Sequence, residues 1–161
     1  MHFYHREHLE IVNDLGIPGV KVLPYGSAMV TWGMRPMDTA GDIDIVATKS
    51  GNIYLEQKLG FRAVRQVVGL DSEGNEKSII ARQDDNRLFD VHRWAFSMAR
   101  FKVTGKGRMH IPELLAMSVQ DDETGIYVAN KEALLLMKAD TGREKDDEDV
   151  RRIWQHHDQG Y

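Results

Sequence analysis

Two periodicities of apolar residues divide the chain into predicted strands and helices. Short apolar runs predict strands, and apolar residues spaced three and four positions apart predict helices. The predicted strands cover residues 20–26, 42–48, 61–70, 76–83, 87–94 and 125–129. The predicted helices cover residues 2–15, 27–34, 50–60, 111–118, 131–141 and 146–157.

This order of elements predicts the fold class. Strands alternate with helices, which indicates an α/β (α+β) architecture around one β-sheet. Asp84, Asp85 and Asn86 separate two of the predicted strands, which is a hairpin signal. A hairpin adds an antiparallel pair, so we expect a mixed β-sheet flanked by helices and followed by a short helical C-terminal segment.

Polar residues mark where several predicted helices begin. Ser27, at the start of "SAMVTWGM", and Asn130, before "KEALLLMKADT", are predicted N-caps. Asp146 and Asp149 open the last predicted helix in a capping arrangement at its positive end. These acids are interpreted as helix-start residues in preference to metal ligands.

Size and composition predict a single domain. The chain has 161 residues, 42% of them hydrophobic, and no repeat or linker divides it. We expect one unit over 1–161, with the sheet and its helices in 1–127 and a helical part in 128–161. The formal net charge of −4 gives no global field for nucleic acid or a membrane.

The cysteine content and the first residues bear on location. The absence of cysteine excludes a disulfide framework and a thiolate metal site, and it fits a reducing compartment. The polar start "MHFYHREHLE" is not a signal peptide, and no apolar run reaches the roughly 18 residues that span a bilayer. We therefore expect a cytoplasmic protein without a membrane partner.

Two aspartates in the strand "DIDIVAT" suggest metal chemistry. Asp42 and Asp44 share one face of a strand, with their Cα atoms about 6.6 Å apart. Two carboxylates on one face repel each other unless a cation lies between them, and Mg²⁺ prefers such oxygen ligands. D-x-D triplets are also common as solvated acids, so this pattern needs support from elsewhere in the chain.

That support comes from two further segments. In "PYGSAM", Gly26 would let a phosphate approach a helix start, and the Ser27 hydroxyl would add a donor. Asp90, in "RLFDVHR", is a third acid on a strand. An ordinary N-cap and an exposed strand acid are the alternative interpretations.

Taken together, these residues resemble the nucleotidyltransferase superfamily with the polymerase-β-like fold. The pattern is "YGS" at 25–27, "DIDI" at 42–45 and "FDV" at 89–91. The segment 128–150 is similar to the helical part of small bacterial and phage members, of the minimal or abortive-infection type. The stretch from Ser27 to Asp42, which contains the loop 33–41, is longer than usual for that family.

The resemblance implies a metal-dependent transferase. Mg²⁺, with Mn²⁺ as an alternative, would be held by Asp42, Asp44 and Asp90, which would serve as the catalytic and metal residues. A nucleoside triphosphate such as ATP would bind there, and its nucleoside monophosphate would pass to a small molecule, protein or RNA acceptor. The predicted nucleotide-binding residues are Gly26, Ser27, Arg35, Lys138 and Lys145.

Several alternatives stay open. Lys138 is equally well explained as a residue that caps its helix. A catalytically silent nucleotide-binding or toxin–antitoxin partner module of the same fold is the second functional hypothesis, and a D-x-D glycosyltransferase is the third. The small size also favours a partner chain or a homodimer that closes the cleft. His2, His5 and His8 are interpreted as a solvated helix face.

Overall fold

Five strands of the described chain form one mixed sheet, and helices pack against it. The computed structural model describes residues 3–36, 43–61, 89–92, 96–97, 108–109, 111–138 and 144–156. The helices are α1 (Glu7–Asp14), α2 (Tyr25–Trp32), α3 (Lys49–Gln57), α4 (Ile111–Ala116), α5 (Lys131–Lys138) and α6 (Glu144–Gln155). The strands are β1 (Lys21–Leu23), β2 (Ile43–Ala47), β3 (Phe89–His92), β4 (Phe96–Ser97), β5 (Arg108–Met109), β6 (Ser118–Gln120) and β7 (Tyr127–Ala129).

The main sheet has the strand order β3-β2-β1-β7-β6. β2 is parallel to β3 and β1 is parallel to β7, whereas the β1–β2 and β6–β7 pairs are antiparallel. β4 and β5 form a separate antiparallel pair. The predicted α+β class with a mixed sheet and flanking helices is therefore confirmed.

α2 lies in the core and is buried nearly all round. Residues 26–32, "GSAMVTW", are all buried and include no charged side chain. A helix without a polar face needs partners on every side, and α1, α5, β2 and β7 supply them. Trp32 ties the end of α2 to the sheet, because its Nε1 donates to the Ala129 carbonyl over 2.7 Å. Its ring also packs against Phe3, with ring centroids 4.7 Å apart.

α1 is shorter than the predicted helix at 2–15. It begins at Glu7, and residues 3–6 are not helical. The backbone N–H groups of Tyr4 and His5 donate to the Thr31 carbonyl, over 3.0 and 3.3 Å. Carbonyls in the last turn of a helix lack hydrogen-bond donors within that helix. Residues 3–6 therefore do not extend α1, and their backbone N–H groups instead bond a carbonyl at the end of α2.

Some of the later elements agree more closely with the bounds predicted from the sequence. Asn130 caps α5 as predicted, since its Oδ1 accepts from the Ala133 N–H over 2.9 Å. The sequence predicts none of β4, β5 and β6, and the predicted helix at 111–118 is wrong at its end, because α4 stops at Ala116 and Ser118 belongs to β6. The predicted strand at 61–70, apart from Phe61, and the hairpin signal at 84–86 lie outside the described residues.

Within the described ranges, no helix is long and apolar enough to cross a membrane.

Candidate functional site

One end of the main sheet brings together three of the segments that carry the predicted chemistry: the connection from β1 to α2, β2 and β3. β1 and β2 are antiparallel with Val22 opposite Val46, so Asp44 lies just beyond the end of β1, beside the start of α2. β3 is parallel to β2, and Asp44 and Asp90 are Cα partners. We call this region, where β1 finishes and β2 and β3 begin, the Asp44 end of the sheet.

Four of the predicted site side chains lie outside the described part of the structure. Asp42 precedes β2, and for Asp90, Lys138 and Lys145 only the backbone is described, in β3, α5 and α6. Among the described residues, no three His, Asp or Glu side chains group closely enough to hold a metal ion. Metal binding by Asp42, Asp44 and Asp90 stays a prediction.

Ser27 is an internal residue of α2 and not its N-cap, which corrects the predicted helix start. The N-cap position belongs to Pro24, whose backbone is extended. The Ser27 side chain is fully buried, and its Oγ accepts a hydrogen bond from the Asp44 backbone N–H over 2.7 Å. Its hydroxyl therefore holds the start of β2, and its contact with phosphate stays a prediction.

His8 is a polar residue of this site that the sequence analysis missed. Its Nδ1 lies 3.0 Å from Ser27 Oγ, and the residue is 1% exposed. The interpretation of the N-terminal histidines as a solvated face is therefore wrong for His8. A signal was available, because His8 and the buried Val12 are four residues apart and share a helix face.

Gly26 makes room for a charged side chain. A Cβ at this position would lie 2.8 Å from Arg35 Nη1 and 3.4 Å from Asp44 Oδ2. The first distance is too short for a real contact, so glycine is what lets the guanidinium lie here. Arg35 thus lies where a side chain at position 26 would be, and the approach of a phosphate to Gly26 stays a prediction.

Arg35 is buried in an ion pair with Asp149 of α6. Arg35 is 7% exposed and Asp149 is 2% exposed, and Arg35 Nη2 donates to Asp149 Oδ2. Asp149 is an internal residue of α6, which begins at Glu144, so its interpretation as a helix-start acid is wrong. The triphosphate role of Arg35 stays a prediction. A buried charge requires a partner of opposite charge. Arg35 and Asp149 neutralise each other, although they lie in separate parts of the chain.

The connection from β1 to α2 contains a strained residue. Tyr25 has φ +49°, in the left-handed region that residues with a Cβ seldom adopt. Such a conformation costs about 1–3 kcal/mol and tends to occur at functional sites. The sharp turn at Tyr25 is followed by Ser27, which contacts Asp44. The strained backbone therefore lies next to two of the candidate residues.

The shifted pKa values belong to groups at the other end of the sheet. Burial lowers the pKa of Lys21, the first residue of β1, whose Nζ donates to the Ile17 carbonyl over 2.7 Å. A hydrogen bond to Asp121 raises the pKa of Arg6. Burial works to raise the pKa of Asp121, but hydrogen bonds from Arg6 and Thr124 outweigh it and the pKa is lowered. These shifts belong to structural contacts that fasten the fold.

No protein-family model matches this sequence, and no curated protein matches it at a significant level. A function therefore has to be inferred from the residues and their arrangement.

Proposed function

We propose that this chain is a Mg²⁺-dependent nucleotidyltransferase, which moves a nucleoside monophosphate from a nucleoside triphosphate to an acceptor and releases pyrophosphate. The observation that carries the proposal is the Cα pairing of Asp44 with Asp90 between the parallel strands β2 and β3. This pair lies beside the strained turn from β1 into α2.

The donor set at the Asp44 end suits a hard divalent cation. Asp44 and Asp90 occupy adjoining strands, about 4.8 Å apart by sheet geometry, and Asp42 precedes Asp44 by two residues. Carboxylate oxygens are the ligands that Mg²⁺ prefers, and Mn²⁺ accepts them as well. When bound, the metal would neutralise charge on the triphosphate and on the leaving pyrophosphate.

The residues of the chain would then orient the reactants. An acceptor oxygen attacks the α-phosphorus, the bond to the bridging oxygen breaks, and pyrophosphate leaves with that electron pair. Asp90 would complete the metal site or take the proton of the acceptor. Lys138, Lys145 and Arg35, which is paired with Asp149 in this structure, are the predicted cations for the triphosphate.

Ligand-dependent thermal unfolding tests this proposal. The protein is heated with each of the four nucleoside triphosphates, with Mg²⁺, with Mn²⁺, or with a chelator. A ligand at about 100 times its Kd adds about 2.7 kcal/mol, which for a chain of this size raises Tm by about 5–10 °C. We expect this rise only when metal and triphosphate are both present.

Matched variants identify the residues responsible. Asp44→Asn and Asp90→Asn should each lose the rise caused by Mg²⁺ and nucleotide, because they remove carboxylate charge from the Asp44 end. Asp122→Asn, an exposed acid in the turn after β6, should keep it. A rise that survives Asp44→Asn would contradict the proposal.

Transfer itself is measured with α-labelled triphosphate and a pyrophosphate assay. Label that moves to an acceptor with release of pyrophosphate supports the enzyme. Binding without transfer in the presence of candidate acceptors would favour a silent nucleotide-binding module. Stabilisation by nucleotide sugars alone would favour a glycosyltransferase.

A further inference from the structure

Three elements meet in one buried chain of hydrogen bonds. His8 of α1, Ser27 of α2 and Asp44 of β2 are joined through the Ser27 hydroxyl, by the 3.0 Å contact to His8 Nδ1 and the 2.7 Å bond from the Asp44 N–H. His8 and Ser27 are 1% and 0% exposed. Both side chains are therefore shielded from solvent in the folded protein.

The Ser27 hydroxyl replaces a missing strand partner. β1 ends at Leu23, so no residue of β1 stands opposite Asp44. The Asp44 N–H donates instead to Ser27 Oγ, which extends the hydrogen bonding of β2 one residue past the end of β1. The backbone that carries the Asp44 carboxylate is thereby attached to α2.

The direction of the serine hydroxyl depends on the tautomer of His8. A hydroxyl has one hydrogen to donate and two lone pairs to accept with. Since the Asp44 N–H uses one lone pair, the Ser27 O–H can donate to His8 Nδ1 when the imidazole is neutral with its proton on Nε2. In that tautomer, His8 fixes the rotation of the Ser27 hydroxyl. A lone pair of Ser27 Oγ then points at the Asp44 N–H.

We infer that His8 is a positioning residue, which acts through Ser27 to fix Asp44 at the candidate metal site. This inference rests on the proposed function for the role of Asp44, and it adds a residue of α1 that touches neither metal nor nucleotide. Residues that orient metal ligands in this indirect way typically change metal affinity about 10–100-fold when they are replaced.

The test compares three variants of α1 in the full-length protein. His8→Ala removes the partner of the serine hydroxyl. His8→Asn keeps a polar atom near the position of Nδ1. Val12→Ala removes buried apolar volume from the same helix face and leaves the hydrogen bonds in place, so it controls for loss of packing.

Two quantities are measured for each variant. Amide hydrogen exchange at Asp44, followed by NMR, reports on the bond to Ser27 whether or not the protein binds nucleotide. The Kd for Mg²⁺–nucleotide reports on the carboxylate. We expect His8→Ala to speed Asp44 exchange at least about 10-fold beyond Val12→Ala and to raise Kd about 10–100-fold, and His8→Asn to restore most of both.

Each outcome decides the inference. Exchange and Kd in His8→Ala that match Val12→Ala would overturn it, as would faster exchange with an unchanged Kd. If His8→Ala does not fold, it is replaced by His8→Leu, which fills the space of the imidazole without a polar atom and is judged by the same two readouts. If the wild-type protein binds no Mg²⁺–nucleotide, the proposed function fails, and the Asp44 exchange rate alone decides whether His8 holds Asp44.

Discussion

Gly26 shows how one missing side chain determines an arrangement of charges. Alanine in place of glycine usually stabilises a helix by about 0.5–1 kcal/mol. At position 26, however, the added methyl group would lie 2.8 Å from Arg35 Nη1. The guanidinium cannot move aside freely, because it is buried and bonded to Asp149. The packing requirement therefore outweighs the helix propensity.

The expected result is that Gly26→Ala destabilises the protein by about 1–3 kcal/mol, measured by urea unfolding. The same change in an Arg35→Ala background should cost much less or become stabilising, because the clashing group is gone. This double-mutant cycle isolates the contact between the two positions. Equal costs in both backgrounds would show that the guanidinium is not what excludes a side chain at position 26.

At the scale of elements, the Arg35–Asp149 pair attaches α6 to the segment that follows α2. Asp149→Asn leaves the Arg35 charge buried without its carboxylate, and breaking such a pair costs about 3–5 kcal/mol. The neighbouring Glu148→Gln removes an acid from the exposed pair with Arg152, which is worth about 0.3–0.5 kcal/mol. Urea unfolding of the two variants should show this contrast, and similar losses from both would contradict the buried-pair interpretation.

The ion pair between Arg6 and Asp121 connects the residues before α1 to the turn between β6 and β7. Arg6 donates to both carboxylate oxygens of Asp121, over 3.0 and 2.8 Å, and Thr124 donates its backbone N–H and its hydroxyl to Oδ2. Burial opposes ionisation of Asp121, but these hydrogen bonds prevail and lower its pKa. The ionised carboxylate is therefore more favourable in the folded protein than in the unfolded chain.

This shift predicts an acid-dependent stability. A lowered folded-state pKa contributes stability above the unfolded value, 3.8, and that contribution disappears as the pH falls through the folded value. Asp121→Asn should therefore cost about 1–3 kcal/mol at neutral pH and progressively less below about pH 4. Unfolding by urea from pH 7 to about pH 2 measures the difference, and a cost that grows on acidification would contradict the lowered pKa of Asp121.

On the scale of the whole molecule, local signals in the sequence located most described elements. The Asn130 cap and the strand in "GIYVA" follow from spacing and residue type, which act over a few neighbours. The start of α2 was misplaced, because an extended Pro24 and a left-handed Tyr25 begin the helix ahead of Ser27. That conformation depends on tertiary packing and has no signal in the local pattern.

The contacts within the site were harder to predict than the elements. His8–Ser27 and Arg35–Asp149 join distant parts of the chain. The spacing of His8 from Val12 could indicate a buried helix face but not the contact with Ser27. A buried ion pair has the same sequence appearance as an exposed one. The meeting of Asp44 and Asp90 on neighbouring strands was expected only through the family resemblance, because spacing alone does not determine which strands pair.

The parallel pairing of β1 with β7 has a consequence for how the protein is made. Val22 stands beside Tyr127, so a strand from the first part of the chain is completed by one that the ribosome delivers much later. Contacts between residues so distant in sequence slow folding. Until β7 emerges, one edge of β1 in the nascent protein lacks its strand partner. Exposed strand edges can pair with other chains. Chaperone protection during synthesis would matter most in that interval.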